Sequence, residues 1–516
     1  MNNFKIDVLE RLSTKMAKYL DQNCFCIKDK YYTYRELSIL TAKIQQEIRN
    51  QYTETTPVGL VNNDDIYTYA SILALWYEGL AYVPLHPLQP IARCIDIIEQ
   101  VNIQLIIDST EMSRYVDKYN VLYPQNNSNT DVVFPVINNI DDEALCYILF
   151  TSGSTGKPKG VQLNRRNITS FVAAFENAGI VLSHEDRCLQ CFDLTFDVSV
   201  QSYLMPLLNG ACVYTLPLDC MKYACSADLI ERYKLTFGAM APSMVRFLKP
   251  YFDELDMSSL KKCILTAEAS NLSLVKDWKK CAYNAELYDF YGPTEATIYC
   301  TYYKLPDDIN QTKNRNDILF IGKPMSGIKA VLISPDGIVL NKGIGELCVA
   351  GEQVTPGYWQ LFEKNKEAFL TISIDNKDYR FYKTGDLCQF DKDGDLEYIG
   401  RIDFQAKVQG YRVELGEIEC KIREFTKCDT VVLAIKEDNN DDILVGFVES
   451  RLVDEKQVYV YLREQLPPYM IPKSIISLAQ FPLNNNGKID RKQLIEIFKT
   501  HNTVSYTHLR AHETRR

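Results

Sequence analysis

A chain of 516 residues, 46% of them hydrophobic, can bury a large core but exceeds what one compact core holds, so two or more domains are expected. Its net charge is −10 and no Lys/Arg-rich run interrupts that balance, which argues against nucleic acid and anionic membrane as partners. Its sixteen scattered cysteines suit a reducing compartment better than a disulfide framework.

In chain order, the N-terminal stretch is amphipathic and lacks the apolar core and cleavage site of a signal peptide, so a cytoplasmic location is expected. The segment Tyr67–Trp76 has helical spacing, and the most apolar window, Ile72–Leu85, contains Glu78 and is too short to insert in a membrane. Apolar runs at Ala144–Thr151 and Ala211–Leu216 read as strands, and Asn167–Ala178 as a helix; such alternation predicts an α/β architecture over residues 1–400. Cys188 and Cys191 form a lone C-x-x-C, which reads as buried, idle thiols, with metal or redox use as the alternative. The polar tract Asn310–Asn316 predicts a surface loop. Residues 401–403 read as a hinge. Beyond it, helical spacing over Gly416–Phe425 and a hairpin of Val431–Ile435 with Ile443–Val448 predict a small α+β domain over 404–503. The tail Val504–Arg516 matches neither texture; it resembles translated sequencing-adaptor sequence, in which case the natural chain extends past residue 503, or else it is a disordered end.

The chemistry begins at Thr151-Ser152-Gly153-Ser154-Thr155-Gly156-Lys157-Pro158-Lys159-Gly160. Glycines let backbone N–H groups approach an anion, hydroxyls add donors, and Lys157 and Lys159 add positive charge, a combination suited to a polyphosphate. It is not a Walker A loop: Gly153 and Gly156 stand too close, and Pro158 occupies the place of the metal-binding hydroxyl. A plain surface loop explains Gly and Ser but not two lysines set among the glycines.

That loop resembles the signature of the adenylate-forming superfamily, and further motifs follow in register. They are AYVPLHPLQP from Ala81, YGPTE from Tyr291, GELCVAG from Gly345, YKTGD from Tyr382, GRIDFQAKVQGYRVELGEIE from Gly400, LPPYMIP from Leu466 and NGKIDR from Asn486. The resemblance implies a large α/β domain of stacked sheets and helices with a distorted β-barrel portion, plus a small mobile α+β domain. It implies ATP and Mg2+ as cofactors and attack of a carboxylate on the α-phosphorus. Glu295 is then the magnesium ligand, Thr294 contacts the α-phosphate, Tyr291 stacks on adenine and Asp289 accepts from its amine. Asp386 holds the ribose hydroxyls, Arg401 lies near ribose or phosphates, Asp403 is the hinge, and Lys488 reaches from the small domain to the reacting groups. A solvated charge is the plain alternative for an Asp or Arg in a loop.

Phe192–Val200 resembles the FDxS motif of amino-acid-activating members, where the residue matching Asp197 pairs with the substrate ammonium; a cap on a helix starting at Val198 is the plain alternative, and both roles can hold at once. By the same resemblance Val198, Gln201, Ala239, Leu265, Ala267, Phe290, Ile298 and Tyr299 line the side-chain pocket, suited to a small or medium uncharged group; ordinary core is the alternative for each. Two departures stand out: His86 replaces the usual Asp of AYVPxDP, and Thr266-Ala267-Glu268-Ala269 replaces Gly-Gly-Glu-Ala. The implied partner is a phosphopantetheinylated carrier protein, acting in trans or beyond the end of this chain. A stand-alone D-alanine–carrier protein ligase, an acyl-CoA synthetase and an inactive AMP-binding module are the competing readings.

Overall fold

Short buried strands alternating with helices assemble into layered sheets. The computed structural model describes residues 3–126, 134–153, 156–402, 405–436, 442–450, 453–482 and 489–501. Ser154, Thr155, Asp403, Lys488 and the tail from 504 lie outside the described residues. The chain divides into two units: Met1–Leu88, Ile97–Thr151 and Lys159–Ile402 form the first, and Gln89–Asp96, Ser152–Pro158 and Asp403–Arg516 the second.

Three large sheets and a short two-stranded pair lie in the described part of the first unit. In one, Glu286–Tyr291, Lys262–Thr266, Phe237–Met240, Arg187–Gln190, Cys212–Thr215 and Asn23–Ile27 lie parallel in that order, with antiparallel strands at both edges. In another, Leu145–Thr151, Tyr82–Leu85, Val58–Val61, Leu105–Ile107 and Asn120–Leu122 are parallel. Strands such as Val58–Val61 and Tyr82–Leu85 are buried at every residue, as parallel strands covered on both faces must be. The third is antiparallel and is organised by the long strand Lys377–Phe390.

The helix expected over Tyr67–Trp76 runs Ile66–Glu78 and is buried on nearly all sides, which accounts for its continuous hydrophobicity. Asp65 accepts from the Thr68 N–H at its start, and Gly79 closes it at φ +82, where a side chain would be strained. Asn167–Ala178 lies within a helix and its cap, Arg165–Ala178. The tract Asn310–Asn316 is exposed over most of its length, but it is not a plain loop. A short 3-10 turn spans Ile309–Gln311, Asn314–Arg315 pairs with Ile318–Leu319, and Lys313 bonds three aspartates, Asp391, Asp393 and Asp395. Cys188 and Cys191 are buried free thiols. No helix among the described residues is long and apolar enough to cross a membrane.

In the second unit Gln405–Val408 pairs with Tyr411–Glu414 through a turn with positive φ at Gln409 and Gly410. The helix Leu415–Thr426 follows. Strands Thr430–Lys436 and Asp442–Glu449 form the antiparallel pair expected there, extended by Ser474–Leu478, which lies parallel. Val413, Ile418, Ile422, Val432, Val448 and Leu462 share its core.

Candidate active site

In the first unit the sites named from sequence gather around the carboxyl ends of adjacent parallel strands, where open α/β sheets present ligand crevices. Register places Leu265 beside Asp289 and Thr266 beside Phe290, while Ala239 and Met240 pair with Ile264 and Leu265 on the next strand. Past Tyr291 the chain turns sharply at Gly292, where a Cβ would lie 2.4 Å from the Ile298 carbonyl oxygen and 2.6 Å from Tyr299 Cα. Only glycine permits that approach, which brings Ile298 and Tyr299 back against the strand end.

The polar groups on one side are tightly held. Tyr291 Oη donates to Asp386 Oδ2 at 2.5 Å, and Arg401 Nη1 to Asp386 Oδ1 at 2.9 Å, across a strand pair that places Asp386 opposite Arg401. Burial, and next the Asp386 charge, push the Tyr291 phenol well above its usual range, so Tyr291 stays a donor. Ser270 Oγ donates to Asp289 Oδ2, and that carboxylate is buried. Glu295 is fully buried; Tyr358 Oη donates to its Oε1 at 2.7 Å, and Lys159 Nζ lies 5.0 Å from the Tyr358 ring centre. A single buried carboxylate is a donor set Mg2+ uses together with substrate phosphates, so the residue at 295 fits the implied metal. Thr294 is half-buried at the start of the same turn. Tyr358 and Ser270 were not singled out from sequence; both lie outside the motifs, and neither spacing nor composition marks them.

The opposite side is apolar. Val198, Ala239, Phe290, Ile298 and Tyr299 belong to one buried cluster and Leu265 to its neighbour, so these positions are also ordinary core, while Ala267 is half-buried. The Phe290 and Tyr299 rings meet at 4.8 Å. Tyr299 Oη donates weakly to Gln201 Oε1 at 3.4 Å, whereas Gln201 Nε2, fully buried, has no hydrogen-bond partner among the described residues. The helix does begin at Val198, yet Asp197 makes no side-chain cap bond to it and is 5% exposed. Burial first, and then the Asp197 charge, raise the Tyr299 phenol. Tyr147 also senses the Asp197 charge.

The loop after Thr151 connects antiparallel strands, with Thr151 paired to Lys159 at its base. It is thus a hairpin connection rather than the strand–loop–helix of a Walker A site. Thr151 Oγ1 has no hydrogen-bond partner among the described residues. Ser152 and Gly153 belong with the second unit, where Ser152 Oγ donates to the Arg412 carbonyl and Gly153 N–H to Glu417. Gly156 is buried there and Lys157 exposed.

Residues 12–359 match the family described as AMP-binding enzyme. The chain belongs to that family. Its motifs place it in the adenylate-forming superfamily. Zwittermicin A synthase ZmaJ of Bacillus cereus is 31% identical over 496 residues, 92% of each chain. Tyrocidine synthase 2 of Brevibacillus parabrevis is 28% identical over 488 residues, 92% of this chain; the chain spans only 13% of that protein's length. Among solved structures, the adenylation domain AlmE of Vibrio cholerae, in complex with glycyl-adenosine-5'-phosphate, superposes with a TM-score of 0.82 at 22% identity, covering 95% of this chain and 97% of that one. The AMP-binding enzyme thus shares the α/β fold of adenylation domains.

Proposed function

We propose that this AMP-binding enzyme activates an amino acid as its aminoacyl-adenylate and passes the acyl group to the phosphopantetheine thiol of a carrier protein, as in nonribosomal peptide synthesis. A carboxylate oxygen of the amino acid attacks the α-phosphorus of ATP, the bond to the bridging oxygen breaks, and pyrophosphate leaves. The nucleophile is already ionised, so no general base is needed; positioning and charge compensation remain for the protein. Asp386, with Tyr291 and Arg401, is placed to anchor the ribose, and Asp289 the adenine. Lys159 and the Thr151–Gly160 loop supply donors for phosphates, and Lys488 supplies charge at the reacting groups. Glu295 would hold the magnesium ion, whose contribution when bound is neutralisation of phosphate charge.

The observation that carries the amino-acid reading is the buried Asp197 carboxylate, which its helix does not use as a cap and which adjoins the mostly apolar cluster of Val198, Phe290 and Tyr299. A buried carboxylate calls for a cation, and an α-ammonium group brings one. A fatty or aryl acid brings none, which weighs against a coenzyme A ligase. The likeness to ZmaJ along its length and to tyrocidine synthase 2 supports amino-acid adenylation in peptide synthesis.

ATP–pyrophosphate exchange over a panel of L- and D-amino acids and fatty acids tests the assignment. Exchange driven by one or a few L-amino acids is expected. Exchange with D-alanine alone selects the carrier ligase, exchange with fatty acids alone selects the coenzyme A route, and silence throughout marks an inactive module.

A further inference from the structure

The first unit contains a second polar feature that adenylation chemistry leaves unused. At the carboxyl ends of Val58–Val61, Tyr82–Leu85, Arg187–Gln190 and Cys212–Thr215 opens a cleft with about 370 Å³ of empty space, lined by Asn62, Asp64, His86, Gln190, Asp193 and Lys222 among others. Asp193 is its hub. Lys222 Nζ lies 2.9 Å from Asp193 Oδ1, and His86 Nε2 3.8 Å from the same oxygen. The His86 and Asp193 side chains are only 14% and 15% exposed, so this contact is screened less than a surface pair.

The orientation of His86 is set by its neighbours. The Leu88 N–H donates to His86 Nδ1 at 3.1 Å, which leaves the Nε2 side to face Asp193. Asp64 lines the same cleft as Asp193. Burial, chiefly, and the Asp193 charge raise its carboxyl to about 7, while Tyr69 Oη donates to it at 2.5 Å. A further negative charge at 86 would therefore meet two acids. The motif that this chain resembles carries Asp there.

Asp193 is also wired to the pocket. Its carbonyl accepts from the Phe196 N–H at 2.8 Å, the Phe196 carbonyl accepts from Ser199 N–H, and that of Asp197 accepts from Val200 N–H. The Phe192 and Phe196 rings stack at 6.0 Å across the turn. Successive turns thus leave little slack between the Asp193 side chain and the point where Asp197 enters its helix.

We propose that His86 and Lys222 are positioning residues: by holding Asp193 they set the turn that presents Asp197 to the substrate ammonium. This rests on the amino-acid reading above. It concerns residues that touch neither nucleotide nor substrate.

A charge-swap cycle tests it. His86→Asp should raise the amino-acid KM roughly tenfold, mid-range for contacting charged groups, with the ATP KM unchanged. Asp193→Asn in the His86→Asp background should recover most of that loss, and His86→Gln, which keeps an N–H donor, should lie near the unmodified enzyme. An unchanged ATP KM with an unchanged melting midpoint shows that each variant has folded. Additive effects in the double variant, or equal loss of affinity for amino acid and ATP, overturn the proposal while leaving the amino-acid reading intact. Should His86→Asp not fold, Lys222→Met serves as the second probe: a rise in amino-acid KM alone supports the latch, and no rise overturns it. No exchange with any amino acid in the unmodified chain would remove both readings.

Discussion

Two ends of the candidate site in the first unit are built differently. On the proposed nucleotide side, Asp386, Asp289 and Glu295 are each held by a named neighbour, respectively Tyr291 with Arg401, Ser270 and Tyr358. The left-handed position there falls on a glycine, Gly385 at φ +73. On the proposed side-chain side, Gln201 Nε2 is buried without a hydrogen bond among the described residues, Asp197 does not cap its helix, and positive φ falls on Ala267 and Ile298. Polar dissatisfaction and backbone strain both cost stability, and they persist where a ligand gains from them. On the proposed reading, the carboxylates at one end are held ready for the nucleotide, whereas the other end keeps demands that a particular substrate would meet.

Asp197→Ala is the largest blow to that contrast. Breaking a buried charge pair costs about 3–5 kcal/mol, so the amino-acid KM should rise by roughly two to three orders of magnitude while the ATP KM holds. Pyrophosphate exchange at varied amino acid and varied ATP measures both. A matched rise in the two constants would mean that Asp197 serves the fold rather than the substrate.

Lys488→Ala comes next. Removing a donor that stabilises developing charge costs roughly 3–4 kcal/mol, so adenylation should slow a hundredfold or more. Transfer from adenylate supplied ready-made should be almost unaffected; single-turnover assays of each half-reaction separate the two. Equal loss in both would place the lysine in transfer as well.

Asp386→Asn probes the preassembled end. Hydrogen bonds to a charged group are worth about 1.5–3 kcal/mol, so the ATP KM should rise roughly ten- to hundredfold, with amino-acid affinity held. A change in amino-acid KM of the same size would erase the distinction between the two ends.

How much of this was legible in the sequence follows from range. Strand and helix identity is local, so Ile66–Glu78 and the pair Thr430–Lys436 with Asp442–Glu449 could be read from hydrophobic spacing and turn residues. Family and α/β class followed from motifs. The contacts of Tyr358 with Glu295 and of Ser270 with Asp289 join residues 63 and 19 positions apart, and no pattern announces a pairing made only by folding. The tract Asn310–Asn316 misled for the same reason: its polarity looked like solvation, yet Lys313 is engaged by aspartates some 80 residues on. Asp197 showed the limit from the other side. Sequence allowed a cap and a ligand role together, and backbone geometry argues against the cap, because Asp197 sits at φ −64 and ψ −29, already helical, rather than in the extended conformation of a capping residue.

The smallest expected effect distinguishes strain from packing at the substrate end. Ala267 follows the strand Lys262–Thr266 at φ +71, a conformation that costs an L-residue about 1–2 kcal/mol and glycine almost nothing. Glycine loses more entropy on folding, which returns part of that gain, so Ala267→Gly should stabilise by about 0.5–1 kcal/mol and raise the melting midpoint by roughly 1–3 °C. Removing the methyl also widens the proposed pocket, so exchange should shift toward a bulkier amino acid. A lower midpoint would instead mean that the methyl group packs well enough to outweigh its backbone cost. The strain at 267 would then be a by-product of core packing, and the contrast between the two ends would rest on Asp197, Gln201 and Ile298.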